Sequence, residues 1–233
     1  MSGTATDRRS VVLVSGGLDS CVTAVIARRE SDWLGLLHAD YGQRAAVRER
    51  EAFERIADAL AADERLLVEM PHLAAIGGSS LTDRARPIET AEPPTGVPGT
   101  YVPFRNANLL AVAVAWAEVC RAGRVYLGAV QADRGGYPDC RREFVEAFER
   151  AVDLGTAPTT HIRIVTPLVD LTKADIVRLG IEIGAPLAWT WSCYEGGHRP
   201  CERCTSCQGR AAGFALAGIS DPAAPSPTEA EAR

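Results

Sequence analysis

Short apolar runs alternate with amphipathic stretches over the N-terminal part of the chain. Residues 11–14 are apolar and mostly β-branched, which is typical of a buried strand. The run ends at a Ser-Gly-Gly turn, after which apolar residues recur with helical spacing. The same criteria predict strands at residues 11–14, 34–40 and 66–69 and helices at residues 18–29 and 43–61. Strands that alternate with helices in this way indicate a parallel sheet covered on both faces.

The pattern changes between residues 70 and 100. This segment contains Gly77-Gly78-Ser79-Ser80 and a Pro-Pro pair, and it has no convincing periodicity. A loop of this length inside a compact domain is usually functional or disordered. We therefore expect an irregular loop here.

The α/β alternation resumes after the loop. Helices are predicted at residues 106–121, 141–152, 173–183 and 208–216, and strands at residues 124–128 and 161–165. The Pro/Ala/Glu-rich residues 221–233 predict a disordered tail. The fold class that follows is α/β, with a doubly wound, mostly parallel sheet.

Composition and charge argue against two classes of protein. The 233 residues carry a formal net charge of −5, which disfavours a broad electrostatic surface for nucleic acid. No stretch approaches the roughly 20 apolar residues of a transmembrane helix. Residues 1–10 lack the apolar centre of a signal peptide. We expect a cytoplasmic protein without a membrane or a direct nucleic-acid partner.

The turn between the first strand and the first helix is a candidate phosphate-binding loop. Such a turn presents unpaired N–H groups at the positive end of a helix, and its glycines let a phosphate approach the backbone. Serine hydroxyls add donors, and an aspartate beside a phosphate suits the accompanying metal ion. An ordinary turn with a helix-stabilising aspartate is the alternative. The candidate ATP-binding residues are Ser15, Gly16, Gly17, Leu18, Asp19 and Ser20.

A second candidate site is a cluster of cysteines. The spacing C-x7-C-x2-C-x2-C describes Cys193, Cys201, Cys204 and Cys207. Without a secretion signal, disulfides are disfavoured and such clusters usually bind metal. Four thiolates match a structural Zn²⁺ ion, which keeps no open position for catalysis. A redox-active cysteine pair and an iron–sulfur cluster are the alternatives.

These motifs resemble those of a known family. The loop at residues 15–20 is similar to the pyrophosphate loop of the ATP pyrophosphatases, which cleave ATP between the α and β phosphates. The whole set resembles the 7-cyano-7-deazaguanine synthase family of that superfamily, in family order from about residue 11 to residue 222. The matching blocks are Tyr-Gly-Gln-Arg at 41–44, Tyr-Val-Pro-Phe-Arg-Asn at 101–106, Gly-Tyr-Pro-Asp-Cys-Arg at 136–141, Thr-Pro-Leu at 166–168 and Thr-Trp-Ser-Cys-Tyr at 190–194.

The resemblance implies an activity and a domain organisation. Members of the family convert 7-carboxy-7-deazaguanine, ATP with Mg²⁺, and ammonia into the nitrile, through an adenylated carboxylate and an amide. It also implies a homodimer, and with no glutaminase segment in the sequence the ammonia must come from solution or a partner. Residues 9–188 would form the ATP-binding domain, residues 189–218 the zinc-binding segment and residues 221–233 the tail.

The resemblance also suggests catalytic residues. Departure of pyrophosphate needs cations, and the candidates are Lys173 and Arg105, with Asp19 on the metal ion. Lys173 is the one lysine among 25 basic residues. The spacing from Thr172 to Asp175 predicts a capping box, which places Lys173 in the first helical turn. An exposed surface lysine is the alternative.

Four residues are candidates for the deazaguanine substrate. Its paired donor edge suits the carboxylate of Asp133 or Asp139, its carboxylate suits Arg141, and its bicyclic ring suits stacking on Tyr137. Asp139 is alternatively the N-cap of the helix that begins near Arg141. The four histidines are scattered, and the sequence offers no convincing general base.

Three positions depart from the family pattern and are expected near the substrate, where they bear on its identity. They are Ala45, where we expect His, Phe104, where we expect Gly, and Arg134. An enzyme that stops at the amide, or uses another carboxylate, is therefore an alternative function. A tRNA thiolase and a non-enzymatic zinc module are more distant rivals, since one needs a basic tRNA surface and the other leaves the phosphate loop unexplained.

Overall fold

The structure is a computed structural model that describes residues 8–91, 93, 95–130 and 136–223. The greater part of the predicted tail and the positions Asp133 and Arg134 lie outside these residues. Within the described ranges, no helix is both long and apolar enough to cross a membrane.

A parallel sheet of five strands forms the centre of the fold. Its strands are β1 (Arg9–Leu13), β2 (Trp33–Asp40), β3 (Glu64–Glu69), β4 (Arg124–Tyr126) and β5 (Arg163–Val165). The order is β3-β2-β1-β4-β5, and every neighbouring pair is parallel. The chain reverses its direction of winding between β1 and β4, so this is the doubly wound sheet that the sequence predicts.

Helices connect the strands. They are α1 (Leu18–Glu30), α2 (Ala46–Ala59), α3 (Pro71–Ile76), α4 (Arg105–Cys120), α5 (Arg142–Gly155), α6 (Lys173–Glu182) and α7 (Thr205–Ala217). Short 3₁₀ turns occupy Pro138–Cys140 and Leu187–Trp189. The predicted helices and strands are all present, with boundaries that differ by a few residues.

The two faces of the sheet bury separate hydrophobic clusters. Successive side chains of a strand point to opposite faces, and in β1 Val12 packs on one side whereas Val11 packs on the other. The first cluster includes Phe53 of α2 and Ile176 of α6, and the second includes Leu110 of α4. Both faces of the sheet are therefore covered, and its strand ends remain as the place for a ligand.

The segment from residue 70 to residue 100 is more ordered than its sequence indicates. Pro71 begins the short helix α3, where its missing N–H costs nothing. Leu73 and Leu81 are buried against Tyr41 in a third apolar cluster. The Nε atom of Arg44 donates to the carbonyl oxygen of Ser80 at 2.9 Å. The expectation of a segment without regular structure is thus wrong for residues 71–76.

Helix α7 packs closely on the first turn of α6. A methyl group at Gly213 of α7 would overlap the Cγ atom of Lys173, whereas one at Gly209 would meet nothing within 4 Å. The side chain of Lys173 therefore crosses α7 at Gly213, where the absence of a side chain leaves room for it.

This packing predicts opposite effects for two substitutions in one helix. Gly209→Ala should raise the free energy of unfolding by about 0.5–1 kcal/mol, because alanine loses less backbone entropy in a helix. Gly213→Ala should lower it by about 1–3 kcal/mol, because overpacking outweighs that gain. Urea unfolding measures both, and a stabilised Gly213→Ala variant would contradict the packing described.

Candidate active site and cysteine cluster

The phosphate-loop candidate lies between β1 and α1. Gly16 has a φ of +91°, a conformation that L side chains rarely adopt. The Oγ atoms of Ser15 and Ser20 are 3.1 Å apart, and the N–H of Gly17 donates to Ser15 Oγ at 3.2 Å. No side chain caps the N-terminus of α1, whose N-cap is Gly17. The helix end therefore has no side-chain cap, which suits an anion.

Lys173 and Asp19 form an ion pair beside this loop. Lys173 Nζ lies 2.8 Å from Asp19 Oδ1 and 2.6 Å from Oδ2. The predicted capping box is present: Thr172 accepts from the N–H of Asp175, and Asp175 accepts from that of Thr172. Lys173 is partly buried rather than an exposed surface residue. The fold thus brings together two residues that are distant in sequence and that we expected to act on one nucleotide.

Arg105 enters the site from the first turn of α4. Its Nη1 atom donates to the hydroxyl of Tyr41 at 3.1 Å. Burial lowers the pKa of Arg105, but Tyr41 and the acidic groups nearby raise it, and the net shift is upward. The guanidinium therefore stays charged inside the protein.

A cavity of about 380 Å³ joins these groups. It opens where β1, β2 and β4 end, the usual place for ligands in open α/β sheets. Three groups of candidate residues line it. They are Ser15, Gly17, Leu18, Asp19 and Ser20 of the loop, the cations Lys173 and Arg105, and Tyr137 from the candidate substrate residues.

The other substrate candidates are placed differently. Asp139 is buried and does not line the cavity; its Oδ2 atom accepts from the N–H of Asn106 at 2.9 Å, in the first turn of α4. The carboxylate stabilises that helix end, rather than the one after Arg141. Arg141 is exposed and also lies outside the cavity lining. Tyr137 donates to or accepts from Thr100 Oγ1 at 2.7 Å.

Two of the three departures from the family pattern can be located. Ala45 is buried and lines the cavity. Phe104 is 59% exposed, packs on Phe144 and does not line the cavity, contrary to expectation. Its φ of 56° is left-handed, so a glycine would fit this backbone without strain. This conformation is a physical reason for the glycine that we expected there.

Glu49 of α2 is a site residue that the sequence analysis missed. It lines the cavity, and its Oε2 atom accepts from Gln43 Nε2 at 2.9 Å. Burial raises the pKa of Glu49 to about 7, although the hydrogen bond from Gln43 and the charge of Arg105 lower it. A signal was present: Glu49 precedes the buried Ala52 and Phe53 by three and four residues, which puts a carboxylate on the apolar face of the helix.

The four clustered cysteines converge on one point. Their Sγ atoms all lie within 4.8 Å of one another. The N–H of Cys201 donates to Cys193 Sγ at 3.2 Å, and that of Cys204 donates to Cys201 Sγ at 3.3 Å. Cys204 is also the N-cap of α7 and accepts from the N–H of Cys207. These donors favour thiolates, so the donor set fits a tetrahedral metal ion.

The ionisation of the thiols supports this fit. Hydrogen bonds from Cys193 and Cys207 lower the pKa of Cys204. Hydrogen bonds with Cys193 and Cys204 raise the pKa of Cys207. Without a cation, a second thiolate this close to the first is unfavourable, and a divalent ion would remove that repulsion.

The cysteine segment touches the phosphate loop directly. The N–H of Trp191 donates to the carbonyl oxygen of Gly16 at 2.9 Å. On the other side of the loop, a methyl at Gly16 would overlap the carbonyl oxygen of Glu49. Arg210 of α7 is buried, pairs with Asp221 at 2.6 Å and reaches the same cavity. The two candidate sites therefore form one continuous structure.

Comparison with known proteins identifies the family to which this chain is similar. The model of the family described as "Queuosine biosynthesis protein QueC" matches residues 9–218. A 7-cyano-7-deazaguanine synthase from Chlorobium luteolum is 50% identical over 92% of this chain and 95% of its own length. The synthase of that name from Chlorobaculum parvum is 47% identical over the same shares of the two chains.

Structural similarity bears on the fold alone. The solved structure of a predicted subunit of tRNA methyltransferase from Methanocaldococcus jannaschii has a TM-score of 0.51 and 17% identity, over 75% of this chain and 74% of that one. The extent of the family match and the identity to these synthases leave one conclusion. The chain belongs to the QueC family.

Proposed function

We propose that this chain is an ATP-dependent ligase that converts 7-carboxy-7-deazaguanine and ammonia into 7-cyano-7-deazaguanine, with release of AMP and pyrophosphate. One observation carries the proposal: the open end of α1, Lys173 and Arg105 line a single cavity with Tyr137. The names of relatives that are 47% and 50% identical supply the substrate class.

The chemistry explains why such a site needs ATP. A carboxylate resists attack because oxide is too poor a leaving group, and adenylation turns that oxygen into part of AMP. Ammonia then forms the amide, and adenylation of the amide oxygen allows a second AMP to leave as the nitrile forms. The protein contributes positioning and stabilisation of charge in these steps.

Each part of the proposed nucleotide site has a distinct task. The N–H groups at the start of α1 and the hydroxyls of Ser15 and Ser20 hold phosphate oxygens. Lys173 and Arg105 neutralise the departing pyrophosphate. Mg²⁺ would supply further positive charge, with Asp19 as its protein ligand.

The proposed deazaguanine site is less complete. Tyr137 offers a ring on the cavity wall, and Asp133, outside the described residues, stays a prediction for the paired donor edge. We do not place Asp139 or Arg141 against the substrate, because Asp139 holds α4 and neither lines the cavity. The homodimer and the source of ammonia also stay predictions.

A specific observation keeps the alternative product open. Ala45 lines the cavity at a position where the family pattern led us to expect a histidine. A cavity wall without this imidazole is the observation that favours the alternative, an enzyme that stops at the amide.

Product analysis tests the proposed function. Purified protein with 7-carboxy-7-deazaguanine, ATP, Mg²⁺ and ammonium should yield the nitrile by mass spectrometry, with two AMP per nitrile because two oxygens are removed. Accumulation of the amide with one AMP would support the alternative. Absence of AMP release with this carboxylate would contradict both.

Removal of the lysine charge should impair the first adenylation. Lys173→Met keeps most of the stem that crosses α7 but loses the ammonium group, and we expect carboxylate-dependent ATP–pyrophosphate exchange to fall about 10²–10³-fold. Arg178→Met, on the exposed side of the same helix, is the matched control and should stay within about two-fold of the wild type. Equal exchange rates in all three proteins would count against a role for Lys173.

The cysteine cluster should hold a structural Zn²⁺ ion. Cys201→Ser should lower the zinc content from one ion per chain and reduce the melting temperature, since metal binding stabilises the folded state. Cys120→Ser, a half-buried thiol outside the cluster, should retain the metal. Elemental analysis and thermal unfolding measure both effects, and iron instead of zinc in the wild type would refute the assignment.

A further inference from the structure

The proposed reaction has a requirement that the roles assigned so far do not meet. Ammonia carries three hydrogens on nitrogen, and the nitrogen of a nitrile carries none. Three protons must therefore leave one nitrogen in the course of a full reaction. A protein carboxylate or imidazole beside that nitrogen is the usual acceptor.

The cavity offers few acceptors. Among its described lining residues, the carboxylates are Asp19 and Glu49, and no histidine is present. Both oxygens of Asp19 are bound by Lys173 Nζ, at 2.8 Å and 2.6 Å. Glu49 forms no ion pair within the described part of the chain, and its one side-chain hydrogen bond there is the 2.9 Å contact of Oε2 with Gln43. Asp19 is paired with Lys173 and is the proposed ligand of Mg²⁺, so Glu49 is the carboxylate with an oxygen left for the reacting nitrogen.

The surroundings hold Glu49 in position. The side-chain Oε1 atom of Gln43 accepts from the N–H of Tyr41 at 2.8 Å, which turns the Nε2 atom of Gln43 towards Glu49. The backbone of Glu49 lies against Gly16, so the residue borders the phosphate loop. Arg105 also borders the cavity and interacts with Glu49 through its charge. Glu49 therefore lines the same cavity as the phosphate loop.

The acidity of Glu49 suits proton transfer near neutral pH. Burial raises its pKa to about 7, the hydrogen bond from Gln43 and the charge of Arg105 lower it, and the charge of Asp40 raises it. The hydroxyl of Tyr41 stays protonated because burial raises the pKa of that group. A base with a pKa near the working pH is present in its active form and still binds a proton well.

We propose that Glu49 is the catalytic proton acceptor for the reacting nitrogen, an inference that rests on the proposed function. As the C–N bond forms and AMP leaves, one N–H proton passes to the Glu49 carboxylate. After the amide oxygen is adenylated, the two remaining protons leave the nitrogen as the C–O bond to AMP breaks. Glu49 accepts each in turn and returns it to solvent between steps.

The test separates the step that needs no base from the steps that do. Adenylation of the carboxylate transfers no proton, so Glu49→Gln should keep ATP–pyrophosphate exchange, measured without ammonium, within about three-fold of the wild type. The rates of amide and nitrile formation with ammonium should fall about 10²–10⁴-fold. Retained exchange also shows that the variant is folded.

Two further variants sharpen the test. Glu51→Gln, on the exposed face of the same helix and paired with Arg48, should behave like the wild type. Glu49→Asp should recover part of the rate. At saturating ammonium the kcat of the wild type should rise with pH through about 7, because the Glu49 carboxylate ionises in this range. The pH profile of Glu49→Gln should lack this rise.

The outcomes are distinguishable. Wild-type rates of amide and nitrile formation in Glu49→Gln would overturn the role of Glu49, as would an equal loss of exchange and amide formation, which indicates a part in nucleotide binding. A wild-type protein without carboxylate-dependent exchange would instead overturn the proposed function itself.

Discussion

The close approach of three segments at Gly16 is the constraint on which the rest of the site depends. The carbonyl oxygen of Glu49 leaves no room for a side chain at Gly16. The carbonyl oxygen of Gly16 in turn accepts from the N–H of Trp191. A positive φ at Gly16 satisfies both contacts and turns the chain into α1. The uncapped end of that helix is therefore shaped by α2 and by the cysteine segment as much as by its own sequence.

The charges of the site follow from burial in an acidic chain. With a formal net charge of −5, the protein has no general excess of cations to attract phosphate. It places individual cations in the cavity instead, each beside a polar partner: Lys173 beside Asp19, Arg105 beside Tyr41, and Arg210 beside Asp221. Desolvated charges interact more strongly than exposed ones, so each of these cations acts more strongly than a cation on the open surface would.

Features fixed by local sequence could be predicted, and those that depend on distant contacts could not. The strand–turn–helix of the loop, the capping box at Thr172 and the cysteine spacing each involve neighbouring residues, and the structure contains all three. The engagement of Asp139 with α4 joins residues 33 positions apart, and no local pattern encodes it. Glu49 is an intermediate case. Its position on the apolar face of a helix could be predicted, but the residues from other segments that bury it could not.

The hydrogen bond between Trp191 and Gly16 also limits how the chain can be divided. A change in composition separates the α/β part from the cysteine-rich part, yet the second supplies one wall of the first. A shortened protein that ends after α6 would keep every residue of the candidate phosphate loop and lose the contact that Trp191 makes with it. The boundary thus separates two kinds of sequence but not two independent working units.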